Sequence, residues 1–407
     1  MRARTVAVLV VVLAVLGGGA GVALVWSNNG GSLSAVWVSD TPRNTTVNHH
    51  GVGANAGVVV APASETSAGP AESRYACALV RLGPADGGVR WRWPVPRDLC
   101  FLHALTKPAV ADLNGDGGQE VVVGTTGRAI VVLDGTSGDE RFRIPTGSYS
   151  YGQPTVADLN GDEAPEIVAS DIAGNLTVAT ANGTVRWRGN VSGAVWDSPI
   201  VTDVDGDDAS EVVVGSNAEV VAYERDGTVL WRRAVAGRDV EVARVDGEPV
   251  VVASGTDDPD VRALDGATGA VLWGVVESGA RHAAVADGDG DGTPEVYLSS
   301  TGGVVVALDA TDGREEWRTR LETTDGLTTP APVLADLDGE GGPELAVATE
   351  SGTVAVLDPA DGAELAAYER DVPVWTSVTP ANLTDDPGLE LLVRYGDGRV
   401  AALSYSS

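Results

Sequence analysis

A nine-residue acidic pattern recurs along the chain, with oxygen-bearing side chains at its first, third, fifth and ninth positions. Its first copy runs from Asp112 to Glu120 and leads directly into the apolar run Val121-Val122-Val123. The five copies place these side chains at the four positions: Asp112, Asn114, Asp116, Glu120, Asp158, Asn160, Asp162, Glu166, Asp203, Asp205, Asp207, Glu211, Asp287, Asp289, Asp291, Glu295, Asp336, Asp338, Glu340 and Glu344. An acidic composition alone does not produce five copies in phase, so the pattern indicates a repeated site.

Alternate oxygen ligands in a short loop, followed by a glutamate that can offer two oxygens, suit a hard cation such as calcium. Magnesium fits so flexible a loop poorly, because it demands near-ideal octahedral geometry. In the third copy Asp203, Asp205 and Asp207 would give side-chain oxygens, Ala209 its carbonyl and Glu211 a bidentate carboxylate. The sequence therefore predicts about five calcium sites of a strand-loop-strand type, with a stabilising role. Regulation of a partner by free calcium is the alternative.

Two further copies of the pattern are degenerate. At Arg244 the first ligand has become a cation and no late glutamate follows, so this unit is expected to bind no ion. Asn382, Thr384, Asp386 and Glu390 retain some oxygens, and we expect weak binding there at best.

The acidic loops are spaced regularly, and their first positions fall at 112, 158, 203, 287 and 336, with the degenerate copies at 244 and 382. The period is about 45 residues, which is typical of the blades of a β-propeller. Each unit reads as a short strand, the loop, a strand such as Val121-Val122-Val123, a glycine-rich turn, a third apolar strand, an Asp-x-x-x-Gly turn and a last strand that often contains tryptophan. Four antiparallel strands per unit are predicted.

The last unit begins at Trp375 and ends after its third strand, near Tyr405. The missing strand is available at the other end of the chain, in Leu33 to Ser39, and pairing there would remove an exposed edge. The predicted fold is all-β, an eight-bladed β-propeller with seven blades as the alternative, after one N-terminal transmembrane or signal helix. The predicted closing strand is 32–40, and the predicted blades are about 45–98, 105–147, 151–191, 196–236, 238–277, 281–322, 328–370 and 374–407.

The N-terminus has Arg2 and Arg4 before an uncharged run from Thr5 to Trp26, long enough to cross a bilayer. The basic end should stay inside the cell, so residues after the anchor are expected outside the cytoplasm. The segment 1–26 is thus a membrane anchor or a cleaved signal, 27–31 is a tether, and 32–407 is the propeller. Export agrees with possible glycosylation sequons, which begin at Asn44, Asn175, Asn182, Asn190 and Asn382.

Composition excludes some partners. The formal net charge is -31, and Lys107 is the only lysine, so no basic face for nucleic acid is expected. Such an acidic coat is similar to the surfaces of proteins from salt-loving organisms. The only cysteines, Cys77 and Cys100, could form a disulfide in an exported chain or remain two buried thiols.

Aromatic side chains recur just before the predicted first strands. Tyr151, Trp196 and Trp375 stand seven residues before the first position of their loops, while Tyr149 and His103 stand nine before theirs. The segments between blades emerge opposite the acidic loops, so these residues could form an aromatic rim that binds a sugar or a peptide. Packing at the seams between blades is the alternative interpretation.

The acidic loops followed by Glu-Val-Val-Val resemble the FG-GAP and integrin-alpha type of calcium-binding propeller repeat. The segments Leu264 to Trp273 and Leu308 to Trp317 resemble the tryptophan-docking repeat of pyrroloquinoline-quinone (PQQ) propellers. This second resemblance implies that Trp91, Trp187, Trp231, Trp273 and Trp317 dock between neighbouring blades. The two resemblances together cover about residues 32 to 407.

The quinone enzymes have a vicinal disulfide beneath the cofactor, and this sequence contains no adjacent cysteine pair. No Ser-His-Asp order or phosphate loop is recognisable either. We therefore expect a cell-surface, non-enzymatic propeller that binds or scaffolds an extracellular protein or glycan, attached to the membrane through its N-terminal segment, with PQQ an improbable cofactor. The alternatives are a PQQ-dependent dehydrogenase-like enzyme and an envelope assembly factor.

Overall fold

The computed structural model describes residues 31–41, 50–66, 75–101, 103–255, 260–277, 279–323 and 329–407. The predicted anchor or signal, 1–26, and the tether as far as residue 30 lie outside this range. Within the described residues, no helix is long and apolar enough to span a membrane.

The described chain folds almost entirely into strands, joined by short turns. In chain order they are β1 (Ser32–Val38), β2 (Gly53–Asn55), β3 (Val58–Thr66), β4 (Tyr75–Leu82), β5 (Val89–Pro94), β6 (Ala109–Ala111), β7 (Glu120–Thr125), β8 (Ala129–Asp134), β9 (Glu140–Pro145), β10 (Thr155–Ala157), β11 (Glu166–Ser170), β12 (Asn175–Thr180), β13 (Val185–Asn190), β14 (Ile200–Thr202), β15 (Glu211–Gly215) and β16 (Val220–Tyr223). The second half contains β17 (Val229–Arg233), β18 (Asp239–Val245), β19 (Glu248–Ser254), β20 (Val261–Asp265), β21 (Val271–Val275), β22 (Arg281–Ala286), β23 (Glu295–Ser299), β24 (Val304–Asp309), β25 (Glu315–Arg320), β26 (Val333–Ala335), β27 (Glu344–Ala348), β28 (Thr353–Leu357), β29 (Glu364–Glu369), β30 (Thr379–Ala381), β31 (Glu390–Arg394) and β32 (Val400–Ser406). A short 3-10 helix, Arg97–Leu99, follows β5.

These strands form eight separate four-stranded sheets, each a consecutive antiparallel meander except the last. Blade 1 is β2 to β5, and each later blade takes the next four strands, up to β26 to β29 for blade 7. The prediction of an eight-bladed propeller is confirmed.

Blade 8 joins the two ends of the described chain, in the strand order β1-β32-β31-β30. β1 pairs antiparallel with β32, for example Leu33 with Tyr405 and Trp37 with Ala402. This pairing covers the edge that β32 would otherwise expose, as the sequence predicted for the N-terminal strand. The strand ends at Val38, two residues before the predicted boundary.

The middle strands of each blade form the core. Every residue of β7 is buried, whereas β9 alternates between exposed and partly covered residues because it lies at the outer edge. Continuous apolar runs such as Val121-Val122-Val123 are therefore covered on both faces, by the blades on either side. The hydrophobic core consists of layers between neighbouring sheets.

One aromatic contact recurs at the seams between blades. A tryptophan in a fourth strand donates its indole N–H to a carbonyl in the turn between the third and fourth strands of the next blade. The pairs are Trp37 to Pro84 (2.7 Å), Trp91 to Gly135 (3.1 Å), Trp187 to Arg225 (3.0 Å), Trp231 to Gly266 (2.6 Å), Trp273 to Ala310 (2.8 Å) and Trp317 to Pro359 (2.7 Å). The docking role implied for five tryptophans is observed, and Trp37 of the closing strand makes the same contact.

Each docked ring contacts a glycine with positive φ in that turn, which in four of the six seams is an Asp-x-x-x-Gly turn. At Gly269, for example, a Cβ would lie 2.6 Å from the Trp231 ring, and the backbone φ is +65°. Glycine is needed here both for the left-handed conformation and for the close approach of the indole.

A disulfide joins Cys77 in β4 to Cys100, with a Cα–Cα distance of 5.4 Å. It ties the third strand of blade 1 to the segment that leads into blade 2, and the Val95 N–H donates to the Cys77 carbonyl beside it (2.9 Å). The bridge therefore holds the entry to blade 2 against blade 1.

We predict that Gly269→Ala destabilises the protein more than Gly247→Ala does. Both residues have positive φ, so each substitution costs about 1–2 kcal/mol of backbone strain. Only at Gly269 would the new methyl meet an indole, whereas nothing lies within 4 Å of a Cβ at Gly247. Overpacking adds about 1–3 kcal/mol. Urea unfolding monitored by tryptophan fluorescence measures the difference, and equal midpoints for the two variants would contradict the seam argument.

Candidate functional site

The two ends of the innermost strands lie on opposite faces of the propeller. Each innermost strand begins where the chain arrives from the previous blade and ends at the loop to the second strand. The acidic loops therefore share one face, here called the loop face. The segments between blades share the other, here called the entry face. The predicted calcium ligands therefore lie on the loop face, and the predicted aromatic rim lies on the entry face.

The acidic loops fold through short hydrogen bonds to their own backbone. In blade 4 the Gly206 N–H donates to Asp203 (2.7 Å) and the Ala209 N–H donates to Asp207 (2.8 Å). The glycine at the fourth position has a φ of 74° to 83° in all five loops, as its predicted turning role requires. These bonds fix the aspartate side chains against the turn of the loop.

The late glutamate begins the second strand of the blade and is buried at the base of the loop. Glu211 has no exposed surface, and its Oε2 accepts the Val204 N–H at 3.0 Å. Glu295 is 1% exposed and accepts the Gly288 N–H at 2.9 Å and the Tyr297 hydroxyl at 2.7 Å. The other oxygen, Oε1, is buried in both residues and accepts no hydrogen bond from the described protein.

Three of the five loops gather their carboxylates closely enough to share one ion. One oxygen from each member lies within 4.8 Å of the others in the groups Asp203-Asp205-Asp207-Glu211, Asp287-Asp289-Asp291-Glu295 and Asp336-Asp338-Glu344. The predicted ligand Glu340 is exposed and is not part of the third group. The donor set is all oxygen and strongly anionic, which suits calcium.

Burial disfavours the ionised form of these glutamates when no cation is bound. The pKa of Glu211 is raised to about 7, mainly by desolvation; the Val204 hydrogen bond lowers it, and the charges of Asp205 and Asp207 contribute to the rise. Burial also raises the pKa values of Glu295 and Glu344. A bound cation would relieve this penalty, since it stabilises the ionised carboxylates.

The loops of blades 2 and 3 are arranged differently. Arg141 lies 2.9 Å from Glu120, and Arg186 lies 2.6 Å from Glu166, each pair joining a guanidinium to the late glutamate. The third position is an amide in both loops, and Asn160 donates to Glu166 at 2.7 Å. Their predicted ligands are present, but a cation from the protein already contacts the glutamate.

The degenerate loops also differ from one another. Blade 5 has a tight turn at Asp246–Gly247, and its Arg244 reaches Asp203 of blade 4 at 2.8 Å. In blade 8 the Thr384 hydroxyl donates to Glu390, whose second oxygen accepts the Leu383 N–H at 2.8 Å.

The entry face carries a row of rings from consecutive blades. Centroid distances are 5.0 Å from His50 to His103, 4.7 Å from His103 to Tyr151 and 4.9 Å from Tyr151 to Trp196, with edge-to-face geometry. His50 also lies 4.6 Å from Tyr151, so the first three rings contact one another. The Arg238 guanidinium continues the row at 5.4 Å from the centre of the Trp196 ring. Blades 1 to 5 thus contribute one member each to what we call the aromatic arc.

The structure assembles part of the predicted rim and adds to it. His103, Tyr151 and Trp196 belong to the arc, while Trp375 lies against Gly396 within blade 8, and the Tyr149 carbonyl accepts the Ile172 N–H at 2.9 Å. His50 and Arg238 were not predicted. Their positions in the repeat could have predicted them, because each lies within three residues of the start of the innermost strand of its blade.

The backbone at His103 is strained, with a φ of 58° in the left-handed region. A non-glycine residue in this region costs about 1–3 kcal/mol and persists where the surrounding structure over-determines it. The surrounding structure therefore holds the His103 backbone, and with it the His103 ring, in a fixed position in the arc.

Charged groups lie near the axis between the innermost strands. A cavity of about 320 Å³ is lined by Lys107, Gln153, Thr155 and Thr379 among others. Burial lowers the pKa of Lys107, against the attraction of Asp197. Burial raises the pKa of Glu241 to about 8, with Asp197 and Asp239 adding to it. The innermost strands of the propeller and the segments that lead into them thus carry titratable side chains whose charged forms burial disfavours.

Comparisons with known proteins agree with this architecture. The model for the family described as outer membrane protein assembly factor BamB matches residues 172–290 and 257–407, and the model for FG-GAP-like repeats matches residues 112–169. A comparison with curated proteins finds no match.

Similar solved structures are propellers of low sequence identity. BamB from Moraxella catarrhalis is 18% identical, with a TM-score of 0.61, over 91% of this chain and 97% of that one. Sqt1 of Saccharomyces cerevisiae is 11% identical, with a TM-score of 0.65, over 92% of this chain and 100% of that one. The quinohemoprotein alcohol dehydrogenase ADHIIG from Pseudomonas putida HK5 is 13% identical, with a TM-score of 0.59, over 93% of this chain and 76% of that one. At these identities the likeness concerns the fold alone.

The BamB-family match lies on the PQQ-type repeats, whose tryptophans dock on the turns of the next blade, and it spans more than half of the chain. This protein therefore belongs to the family of the outer membrane protein assembly factor BamB.

Proposed function

We propose that this protein is a non-enzymatic binding module, held at the outside of the cell membrane by its N-terminal segment, and that its partner docks on the entry face. The aromatic arc carries the proposal. Five consecutive blades each direct a ring or a guanidinium to one row, from His50 to Arg238. Rings with a polar edge are the groups most enriched where proteins bind partners.

A polypeptide is the partner class best supported. The matched family is named for an assembly factor of outer membrane proteins, and that name concerns protein assembly. Tyr151 and Trp196 are partly exposed, and each has a polar group on its ring that can pair with the backbone of an extended peptide. A glycan is the other ligand that such a rim would suit.

A quinone-dependent oxidoreductase is the second candidate, since the fold resembles that of a quinohemoprotein dehydrogenase. The cysteines here are 23 residues apart and join a strand to an inter-blade segment, so they offer no vicinal pair beneath a cofactor. Titration with PQQ and calcium separates the two candidates, because an enzyme of this type would acquire a bound chromophore.

We propose further that calcium occupies the acidic loops and stabilises the blades. The support is the buried glutamate at the base of the loop, exemplified by Glu211 with its second oxygen free of hydrogen bonds. Calcium would bind the folded loops and not the unfolded chain. Each site would then add about 2.7 kcal/mol of stability at a calcium concentration one hundred times the dissociation constant.

Double substitution of Tyr151 and Trp196 by alanine is expected to abolish partner binding, with a change in melting temperature of only a few degrees. Both rings lie in the arc and are partly exposed. Trp375→Ala is the matched control, because this tryptophan occupies the equivalent repeat position but lies against Gly396 in blade 8. Quantitative crosslinking of the full chain on intact cells measures binding. Retained crosslinks in the double variant, or equal loss in the control, would contradict the proposal.

Excess chelator is expected to lower the melting temperature, and more so at about pH 8 than at about pH 5.5. The folded-state pKa of Glu211 is raised from 4.5 to about 7 without an ion, so the folded protein holds that proton more tightly than the unfolded chain. Ion-free stability therefore falls as pH rises through this window, while calcium binds the deprotonated form better. Scanning calorimetry at fixed high salt measures both effects. A melting temperature that chelator does not change at either pH would refute calcium stabilisation.

A further inference from the structure

The acidic loops fall into two classes, and one position outside the loops distinguishes them. In the fourth strand of each blade the register shifts by one residue, so that one side chain is left without a cross-strand partner. In blade 2, for example, Val132 pairs with Phe142 and Leu133 with Glu140, which leaves Arg141 in the bulge. Such a bulge re-aims its side chain. Here it directs the side chain toward the late glutamate of the same blade.

The bulge residue is the same in the two blades with an amide at the third loop position. It is Arg141 in blade 2 and Arg186 in blade 3. In the three blades that gather their carboxylates, the equivalent residues are Leu230, Glu316 and Leu365. A cation in the bulge therefore accompanies an amide at the third loop position, and its absence accompanies an aspartate at that position.

The arginines meet the glutamates that need a counter-charge. Glu120 and Glu166 are 1% and 2% exposed, so their ionised forms require a partner. Arg141 and Arg186 supply it at 2.9 and 2.6 Å. Arg141 also bonds Asp134 at 2.7 Å, which holds its guanidinium in place.

The residue at the third loop position also differs in charge between the two classes of loop. In blades 2 and 3 three carboxylates face one guanidinium, with Asn114 or Asn160 in the remaining position. Asn160 directs its amide N–H toward Glu166 at 2.7 Å, so that this glutamate oxygen is already used. In blades 4 and 6 four carboxylates meet without a bulge cation. Within the described residues, one oxygen each of Glu211, Glu295 and Glu120 is buried without a hydrogen bond, but of these three only the Glu120 oxygen has a guanidinium beside it, at 2.9 Å.

We propose that Arg141 and Arg186 take the place of the ion in blades 2 and 3, so that calcium binds only in blades 4, 6 and 7. This inference rests on the proposed binding of calcium and narrows it from five loops to three. The FG-GAP-like match covers residues 112–169, which contain the two arginine-paired loops. The repeat pattern is thus retained in blades 2 and 3, while a guanidinium already contacts the late glutamate that a bound cation would use.

Blade 4 differs from blades 6 and 7 within the calcium-binding class. Arg244 of blade 5 contacts the outer oxygen of Asp203, and its side chain is 51% exposed. It is a half-exposed competitor for one loop ligand, whereas Arg141 and Arg186 contact the buried glutamate. We therefore expect the blade 4 site to bind calcium most weakly of the three.

The test is the calcium stoichiometry of the purified full chain, measured by native mass spectrometry after chelation and addition of calcium alone. We expect three ions per chain, one for each gathered group. Asn114→Asp combined with Arg141→Gln should create a fourth site, because it restores the missing carboxylate and removes the cation. Leu230→Arg should remove one ion, because it places an arginine at the bulge beside Glu211.

Arg143→Gln is the matched control, since Arg143 lies two residues beyond Arg141 in β9 and pairs with Glu140 instead. It should leave the count unchanged. Five ions in the wild type, or an unchanged count in both reciprocal variants, would overturn the arginine replacement while leaving calcium binding intact. No ion in any variant would overturn calcium binding itself. Arg141→Gln alone provides a second measurement: its melting temperature in chelator should fall below that of Arg143→Gln.

Discussion

The contact between neighbouring blades is the constraint on which this structure depends. Eight sheets share no hydrogen-bonded ladder with one another, so packing of their faces and side-chain contacts between blades hold the ring together. At the outer rim the recurring contact is an indole from one blade on a glycine of the next, as with Trp231 on Gly269. Blade 8 takes part through Trp37, so β1 both completes a sheet and continues the set of seams. Closure of the ring by β1 and docking of Trp37 on blade 1 therefore depend on the same strand.

This arrangement leaves both ends of the short inner strands free for other tasks. Three residues, as in β10 or β14, suffice for the ladder. The loop face can then concentrate negative charge without disturbing the seams, and the protein balances that charge with arginines in some blades and, we propose, calcium in others. A chain with a net charge of -31 has a particular need for such local compensation, because self-repulsion opposes compaction.

The fold could be predicted almost completely from the sequence, because it follows from local patterns repeated at a constant period. The blade number and the closing strand needed only the loop positions and the apolar run around Trp37. The division of the loops into two classes could not be predicted, since it depends on a bulge that places Arg141 beside Glu120 across three strands. The arc was found only in part, because the inter-blade segments differ in length and His50 precedes its strand by fewer residues than Tyr151.

The disulfide connects these observations to the proposed binding face. Cys100 is followed within three residues by His103, whose backbone occupies the left-handed region. Such a conformation persists only when both flanks are held. On one side the disulfide fixes Cys100 to β4. On the other, the Thr126 N–H donates to the Ala104 carbonyl at 3.1 Å and the Thr106 N–H donates to the Gly124 carbonyl at 3.0 Å. The ring of His103 is thereby held against His50 and Tyr151 before any partner arrives, so less ordering entropy opposes docking on the arc.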